Sequence, residues 1–233
     1  LSLIRKTNNQ HVIYAAVDVP IFHYFRHPEL TAFKMYYWMR SIIQESSLQN
    51  KKYDHLLVSD EFKKLARELH HEYSQVPSTE IWTESTVNSV IKQIEFCWES
   101  GYFAGKEEAL LICSQMADVM AYLQKAADTS SKYLSSQLDP LAENNFKLYL
   151  SDIEIGNNCI QIIYGKNTAV YLSHFTFNKL FTTNKPYCDA TTSWLNNLIS
   201  KSTLISGVAE KQRNQFFNKI HERIQKTRKM IEG

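Results

Sequence analysis

A set of polar side chains that includes a lysine lies on one face of the segment 83–105 when that segment is drawn as a helix. The residues of this face are Ser85, Thr86, Asn88, Ser89, Lys92 and Gln93. Hydroxyl, amide and ammonium groups of this kind bind base edges and phosphates when a helix lies in the major groove of DNA. Many surface helices carry similar residues, so the face predicts either a DNA contact or an ordinary solvated surface.

The segment itself has the pattern of a capped helix. Thr83 is a suitable N-cap and Gly101 a suitable stop, because glycine adopts the left-handed conformation that ends many helices. Apolar residues at helical spacing predict the inward face, which consists of Val87, Ile91, Ile94 and Trp98. Phe96 projects from the outer side, where an apolar residue indicates a covered surface.

A second amphipathic helix is predicted just ahead of this segment. Ser59 is its N-cap, acidic residues follow in the first turn, and apolar residues recur at helical spacing up to Leu69. Its cations would hold phosphates beside the DNA-reading helix, and they are Lys63, Lys64 and Arg67.

Residues that could support catalysis are sparse. Asp152 and Glu154 lie on one β-type segment and Lys166 follows the next. This arrangement loosely matches a metal-dependent nuclease, in which a lysine stabilises developing charge. The spacing fits no tight motif, and the sequence has no P-loop, dinucleotide-binding or serine-hydrolase motif. We therefore expect no enzymatic activity and no cofactor.

Histidines and cysteines form no metal-binding pattern in the sequence. His70 and His71 are adjacent, so on a helix they point about 100° apart and cannot readily chelate one ion. The remaining histidines are scattered, as expected of surface or satisfied core residues. The cysteines are widely spaced, which predicts buried, reduced thiols at Cys97, Cys113, Cys159 and Cys188.

The composition is that of a folded, nearly neutral chain. Its 233 residues are 44% hydrophobic and carry a net charge of +2, so any polyanion must be recognised through the placement of basic residues. No apolar run approaches the roughly 20 residues that span a bilayer, and the start has no secretory signal. We expect a cytoplasmic protein with no membrane partner. The chain begins at Leu1, which leaves room for an upstream segment.

Sequence patterns place helices first and a mixed region second. We expect an extended lead-in at 11–20, a buried helix at 31–47, a short strand at 56–58, a loop over 72–82, and a helix at about 106–127. Residues 110–113 could instead be the return strand of a hairpin wing, and Tyr102 and Phe103 would start a strand. A linker at 128–137 precedes β segments at 146–155, 159–164 and 168–172, and helices follow at 173–181, 190–200 and 208–231.

Four stretches occur in a characteristic order: VDVPIFHYF, ELTAFKMYYWM, SDEFKKLARELH and STVNSVIKQIEFCWESGYF. Over about residues 16–104 they resemble the winged helix-turn-helix domains of plasmid and phage replication initiators and replisome organisers. In that family the last stretch is the DNA-reading helix, followed by a glycine and an aromatic, as in Gly101-Tyr102. The resemblance implies double-stranded DNA as the partner. The connection 72–82 departs from the family, since a helix-turn-helix has a turn of three or four residues.

The sequence thus predicts an α+β chain that is predominantly α-helical. A winged-helix-like trihelical domain would cover 1–128, and an α+β domain with a small sheet would cover 138–233 and end in a basic amphipathic helix. The predicted function is DNA binding in replication initiation or transcriptional regulation. The alternative is a non-catalytic protein-interaction module, with a partner or a homodimer held through Phe96 or the C-terminal helix. A metal-dependent nuclease is third.

Overall fold

The structure, a computed structural model, describes residues 13–17, 21–34, 59–74, 77–136, 146–153, 159–164, 168–173 and 179–233. The helices are α1 (Ile21–Tyr24), α2 (28–34), α3 (Asp60–Ser74), α4 (Glu84–Glu99), α5 (Lys106–Ser136), α6 (Lys185–Ser200) and α7 (Glu210–Glu232). The strands are β1 (Ile13–Val17), β2 (Ser78–Trp82), β3 (Phe146–Leu150), β4 (Cys159–Tyr164), β5 (Thr168–Ser173), β6 (Lys179–Thr182) and β7 (Thr203–Leu204). The described chain is predominantly helical with a mixed sheet.

The strands form one sheet in the order β6-β5-β4-β1-β2-β3-β7. Strand β2 pairs in parallel with β1 and β3, and the other pairs are antiparallel. Parallel pairs need crossover connections, which are supplied by α1 to α3 before β2 and by α4 and α5 after it. Strands β1 and β2 come from the range 1–128, whereas their partners β4 and β3 come from 138–233. One sheet therefore takes strands from both predicted domains.

Strand β2 replaces the loop that was expected over 72–82. All five of its residues are buried. A central parallel strand is covered on both faces, so it lacks the alternation of polar and apolar residues that identifies half-buried strands. Here the sequence STEIW also places a carboxylate in the middle. As a result, α3 and α4 are separated by a strand, whereas a short turn joins the helices of a helix-turn-helix.

Helix α4 forms as its cap and apolar stripe predict. The backbone N–H of Thr83 donates to Thr86 Oγ1 at 2.9 Å, which satisfies a donor at the helix start. The inward stripe is confirmed by Val87, Ile91 and Ile94, which are buried, and by Trp98, which packs at the edge of the core. Gly101, at φ 66°, ends the helix in the left-handed region that glycine adopts at least cost.

Helix α5 confirms the helix expected over 106–127 and excludes a hairpin at 110–113. Tyr102 and Phe103 lie in the short connection before it, so the expectation that they start a strand is wrong. Among the described residues, α4 is thus followed by a helix rather than by a wing.

The linker predicted at 128–137 is also wrong, because α5 continues through residue 136. Partners hold the polar side chains that made this segment resemble a linker. Asp128 Oδ1 accepts from Arg213 Nε at 2.5 Å, and Ser130 Oγ accepts from the backbone N–H of Phe146 at 3.0 Å. Tertiary contacts therefore outweigh the low helix propensity of serine and threonine.

The helix expected over 173–181 is wrong, since Ser173 ends β5 and Lys179–Thr182 forms β6. A short apolar run cannot be assigned to helix or strand by periodicity alone. The helices expected at 190–200 and 208–231 are confirmed as α6 and α7. Asn184 caps α6, with its Oδ1 accepting from the backbone N–H of Tyr187 at 3.2 Å.

The sheet separates two apolar clusters. The larger cluster joins α3, α4, α5 and α7 to the sheet face that carries Trp82 and Leu148. The smaller one lies on the opposite face, where Leu195 of α6 packs near Ile81, because successive strand residues point to opposite faces. Helices α4 and α7 therefore share one side of the sheet and α6 lies on the other. None of the helices in the described ranges is long and apolar enough to span a bilayer.

Candidate nucleic-acid interface

The polar face predicted on α4 is only partly accessible. Ser85 and Lys92 are exposed, whereas Asn88 and Ser89 are half-buried. The Ser89 hydroxyl donates to the Thr86 carbonyl at 3.4 Å. The accessible part of this face thus consists of the Ser85 hydroxyl, the Lys92 ammonium group and part of the Asn88 side chain.

Thr86 and Gln93 do not reach this surface in the manner predicted. Thr86 is fully buried, with its hydroxyl engaged at the helix cap. Gln93 is half-buried, and its Oε1 accepts from Lys34 Nζ of α2 at 2.7 Å. These two side chains bind α4 to its surroundings, so the structure does not support them as DNA contacts.

The cations predicted on α3 lie in a different part of the fold. Lys64 and Arg67 are exposed, and Lys63 is half-buried with its Nζ 4.0 Å from Asp60 Oδ1. Helix α3 packs against α1, whereas α4 packs against α5 and α7. The structure therefore gives α4 a different basic neighbour from the one predicted.

Helix α7 is that neighbour, and Glu95 fixes it to α4. Glu95 Oε2 accepts from Arg223 Nη2 at 2.6 Å, and Glu95 Oε1 accepts from the Thr227 hydroxyl at 2.7 Å. Both oxygens of one carboxylate are used, and Arg223 neutralises its charge. The outer faces of α4 and α7 therefore lie side by side on one surface of the protein.

The excess of positive over negative charge in the chain lies on α7. This helix carries seven Lys or Arg residues and three Glu residues, while the whole chain has a net charge of only +2, so the remainder is slightly acidic. Its three arginines are paired, with Asp128, Glu95 and Glu232. Its lysines are exposed and form no ion pair with any described residue. They make up what we call the lysine row: Lys211, Lys219, Lys226 and Lys229.

A recess of about 460 Å³ opens along α7 beside the lysine row. Its described lining consists of two lysines of the row and the side chains of Asn218, His221, Glu222 and Gln225. Burial lowers the pKa of His221 below its usual value, so its imidazole is neutral at pH 7. The recess thus places amide, imidazole and carboxylate groups beside the ammonium groups.

Two aromatic side chains are exposed at the end of α4. Phe96 is 43% exposed and Tyr102 is 37% exposed. Their ring centroids are 5.9 Å apart, with the planes tilted by 52°. Phe96 lies one helical turn after Lys92, and residues four apart share a helix face. The outward position predicted for Phe96 is therefore present in the structure.

A buried polar cluster around Glu80 was not expected from the sequence. Glu80 is fully buried in β2, and three side chains contact its carboxylate. Tyr73 Oη and Trp82 Nε1 donate to it at 2.6 and 2.7 Å, and His23 Nε2 lies 2.7 Å from its Oε1. Burial alone would raise the pKa of Glu80, but the His23 charge and the three hydrogen bonds together lower it. Glu80 is therefore ionised at neutral pH.

A more exposed group of charges continues from this cluster between α1, α3 and α5. Asp118 Oδ2 accepts from Arg26 Nε at 2.7 Å and lies 2.8 Å from His27 Nε2. The Arg26 guanidinium lies 4.9 Å from the centre of the Tyr122 ring. Burial and nearby cations lower the pKa of His70, which packs edge-on against that ring, to about 4. The histidines expected to be scattered thus partly converge.

The Glu80 cluster is built to hold helices on the sheet. His23, Tyr73 and Trp82 are each at most 4% exposed, so solvent and ligands have no access to the carboxylate. No sequence signal distinguished Glu80, because one acid in a short polar strand resembles a surface residue.

The catalytic alternative gains no support from the described residues. Asp152 is exposed and follows β3, while Glu154 and Lys166 lie outside the described ranges. No group of three potential metal ligands occurs among the described residues. Cys97, Cys113 and Cys188 are buried, and burial raises the pKa of the Cys113 thiol to about 11.

The surface formed by α4 and α7 is therefore the strongest candidate site among the described residues. No protein-family model, no curated protein and no solved structure matches this chain significantly.

Proposed function

We propose that the protein binds nucleic acid across the outer faces of α4 and α7. The lysine row is the observation that carries this proposal. It holds the positive excess of a nearly neutral chain on one helix, and a clustered basic stripe is the electrostatic signature of a phosphate-binding surface. A row of exposed lysines without ion partners in the described structure can release counterions from phosphates, which drives such binding.

The dimensions of the row suit a nucleic-acid strand. At about 100° and 1.5 Å per residue, its four lysines fall within about 80° of the helix circumference and span about 27 Å. Lys92 adds a cation from α4, and Ser85 and Asn88 add hydrogen-bonding groups near the start of that helix. Lysine binds phosphate as a point charge, so this surface favours backbone contacts over base recognition.

The finer functional proposal is a role in replication initiation or transcriptional regulation, with double-stranded DNA as the partner. Its support is the order of the four sequence stretches that resemble winged-helix domains. The lysine row supports nucleic-acid binding independently of that resemblance, because α7 lies outside the stretches concerned.

A charge-reversal experiment tests the proposal. We expect Lys219→Glu with Lys226→Glu to weaken binding of a fluorescein-labelled oligonucleotide by at least about ten-fold at low salt. Loss of two phosphate contacts also lowers the slope of log Kd against log salt concentration by about 1.4 to 1.8. Fluorescence anisotropy over about 50 to 200 mM salt measures both quantities.

The matched control is Lys185→Glu with Lys201→Glu, which makes the same charge change at exposed ends of α6 on the opposite side of the sheet. We expect this variant to keep nearly all of the affinity and the salt slope. Equal losses in both variants would show a non-specific effect of net charge, and an unchanged α7 variant would exclude the lysine row as the binding surface.

A further inference from the structure

Helix α4 has a neighbouring helix on each of its two sides. Its Glu95 side is joined to α7 by two hydrogen bonds, and its Gln93 side is joined to α2 through Lys34. A helix that reads duplex DNA must enter a major groove about 12 Å wide, and one helix with its side chains is already about 10–12 Å across. With helices on both flanks, α4 forms part of a broad surface, which suits a flexible strand better than a groove.

The aromatic pair gives this surface a second chemical character. Phe96 and Tyr102 expose about two-fifths of their area, whereas the aromatic side chains of Tyr24 and Trp82 are fully buried in the core. The turn at Gly101 sets the position of Tyr102, whose backbone N–H donates to the Cys97 carbonyl at 2.8 Å. A backbone hydrogen bond thus fixes the position of Tyr102 beside Phe96, in addition to the contact between their rings.

Cations adjoin the aromatic pair on the side that leads to α7. Lys92 is exposed one turn before Phe96, Glu95 is neutralised by Arg223, and the lysine row follows on α7. Exposed aromatic rings beside a positively charged track are the two components with which proteins bind single-stranded nucleic acid. An exposed Glu99 lies three residues after Phe96, so the cation of α4 beside the rings is Lys92, one turn toward the start of the helix.

We propose that the ligand of this surface is a single-stranded nucleic acid, whose bases stack on Phe96 and Tyr102 while its phosphates follow Lys92 and the lysine row. This inference rests on the proposed nucleic-acid binding across α4 and α7, and it assigns a single strand, in place of double-stranded DNA, as the ligand of that surface. Stacking on aromatic faces tolerates any base, so the surface binds single strands with little sequence preference. Phe96 and Tyr102 are binding residues in this proposal, and no chemical step is attached to them.

The test uses the full chain, a labelled oligo(dT) of about 15 nucleotides and a duplex of the same length. Site sizes for such surfaces are about 4 to 16 nucleotides. We expect the wild-type protein to bind the single strand more tightly than the duplex. Phe96→Leu with Tyr102→Leu keeps apolar side chains but removes the ring faces, and it should weaken single-strand binding about ten-fold with an unchanged salt slope.

The matched control is Phe96→Tyr with Tyr102→Phe, which retains both ring faces and should retain the affinity. Both residues are exposed, so circular dichroism should show wild-type folding in each variant. Tighter binding of duplex than of single strand overturns the inference, as does unchanged single-strand affinity in the leucine variant.

The two proposals fail in distinguishable ways. If the leucine variant binds normally while Lys219→Glu with Lys226→Glu does not, nucleic-acid binding stands and the stacking inference falls. If the wild-type protein binds neither oligonucleotide, both fall. Light scattering adds a third outcome, because loss of a dimer in the leucine variant, without loss of oligonucleotide affinity, would assign the aromatic pair to self-association.

Discussion

Three buried side-chain hydrogen bonds converge on Glu80. Its carboxylate joins β2 to α1 through His23 and to α3 through Tyr73. Removing one partner of a buried charged network leaves the others desolvated and unpaired, which costs about 3–5 kcal/mol. We therefore expect Glu80→Ala to lower the free energy of unfolding by about this amount in urea denaturation. Glu99→Ala, at an exposed position, should change it by less than about 0.5 kcal/mol.

The pH dependence of stability follows from the same residue. Because the folded state lowers the pKa of Glu80 below the ordinary 4.5, the carboxylate stabilises the fold above that pH, and this contribution is lost as the pH falls below it. Glu80→Gln should therefore be less stable than wild type at neutral pH, and the difference should narrow below about pH 4.5. A difference that stayed constant with pH would contradict an ionised Glu80.

Single residues of the candidate surface were partly predictable. Exposure of Ser85, Lys92 and Phe96 follows from the helical period alone, because these side chains lie opposite the apolar stripe. The burial of Thr86 and the bond between Gln93 and Lys34 depend on neighbouring elements, which helix geometry does not specify.

At the scale of elements, the candidate surface depends on the joint between α4 and α7, which is the ion pair of Glu95 and Arg223. Glu95 and Arg223 are both partly buried, with side chains 18% and 33% exposed. In a double-mutant cycle of Glu95→Ala and Arg223→Ala, we expect a coupling of about 1–2 kcal/mol after allowance for solvent screening. The control cycle uses Arg228 and Glu232, a solvent-exposed pair on α7 that should couple by about 0.3–0.5 kcal/mol. Equal coupling in the two cycles would exclude a structural role for the joint.

The elements that sequence analysis found and missed differ in their surroundings. Helices α3, α4, α5 and α7 each have one solvated face, so apolar spacing reveals them. Strand β2 is covered on both faces and has a charged residue at its centre, and β6 is only four residues long. Neither has a period that sequence analysis can detect. The basic helix α7 was predicted correctly, but its position beside α4 depends on the contacts of Glu95.

At the scale of the whole molecule, the sheet determines how far the chain can be divided. Strand β1 pairs with β4, and β2 pairs with β3. We therefore expect fragments 1–128 and 138–233 to lack cooperative unfolding when they are expressed separately. Each would expose a strand edge and part of the shared core. Circular dichroism during urea titration measures this, and a cooperative transition in an isolated fragment would favour the predicted two-domain division.

The pairing of Ile13 with Tyr164 also determines when strand β1 can complete its pairing during synthesis. During synthesis β1 emerges early, and its β4 partner follows only after the chain has passed through α3, α4, α5 and β3. Native pairing between such distant segments is slow to form, because the entropy of loop closure is lost before native contacts can offset it. Until then one edge of β1 is open to other strands, and exposed edges promote aggregation. Ribosome-bound chains that stop before β4 should therefore depend on chaperones more strongly than chains that include it.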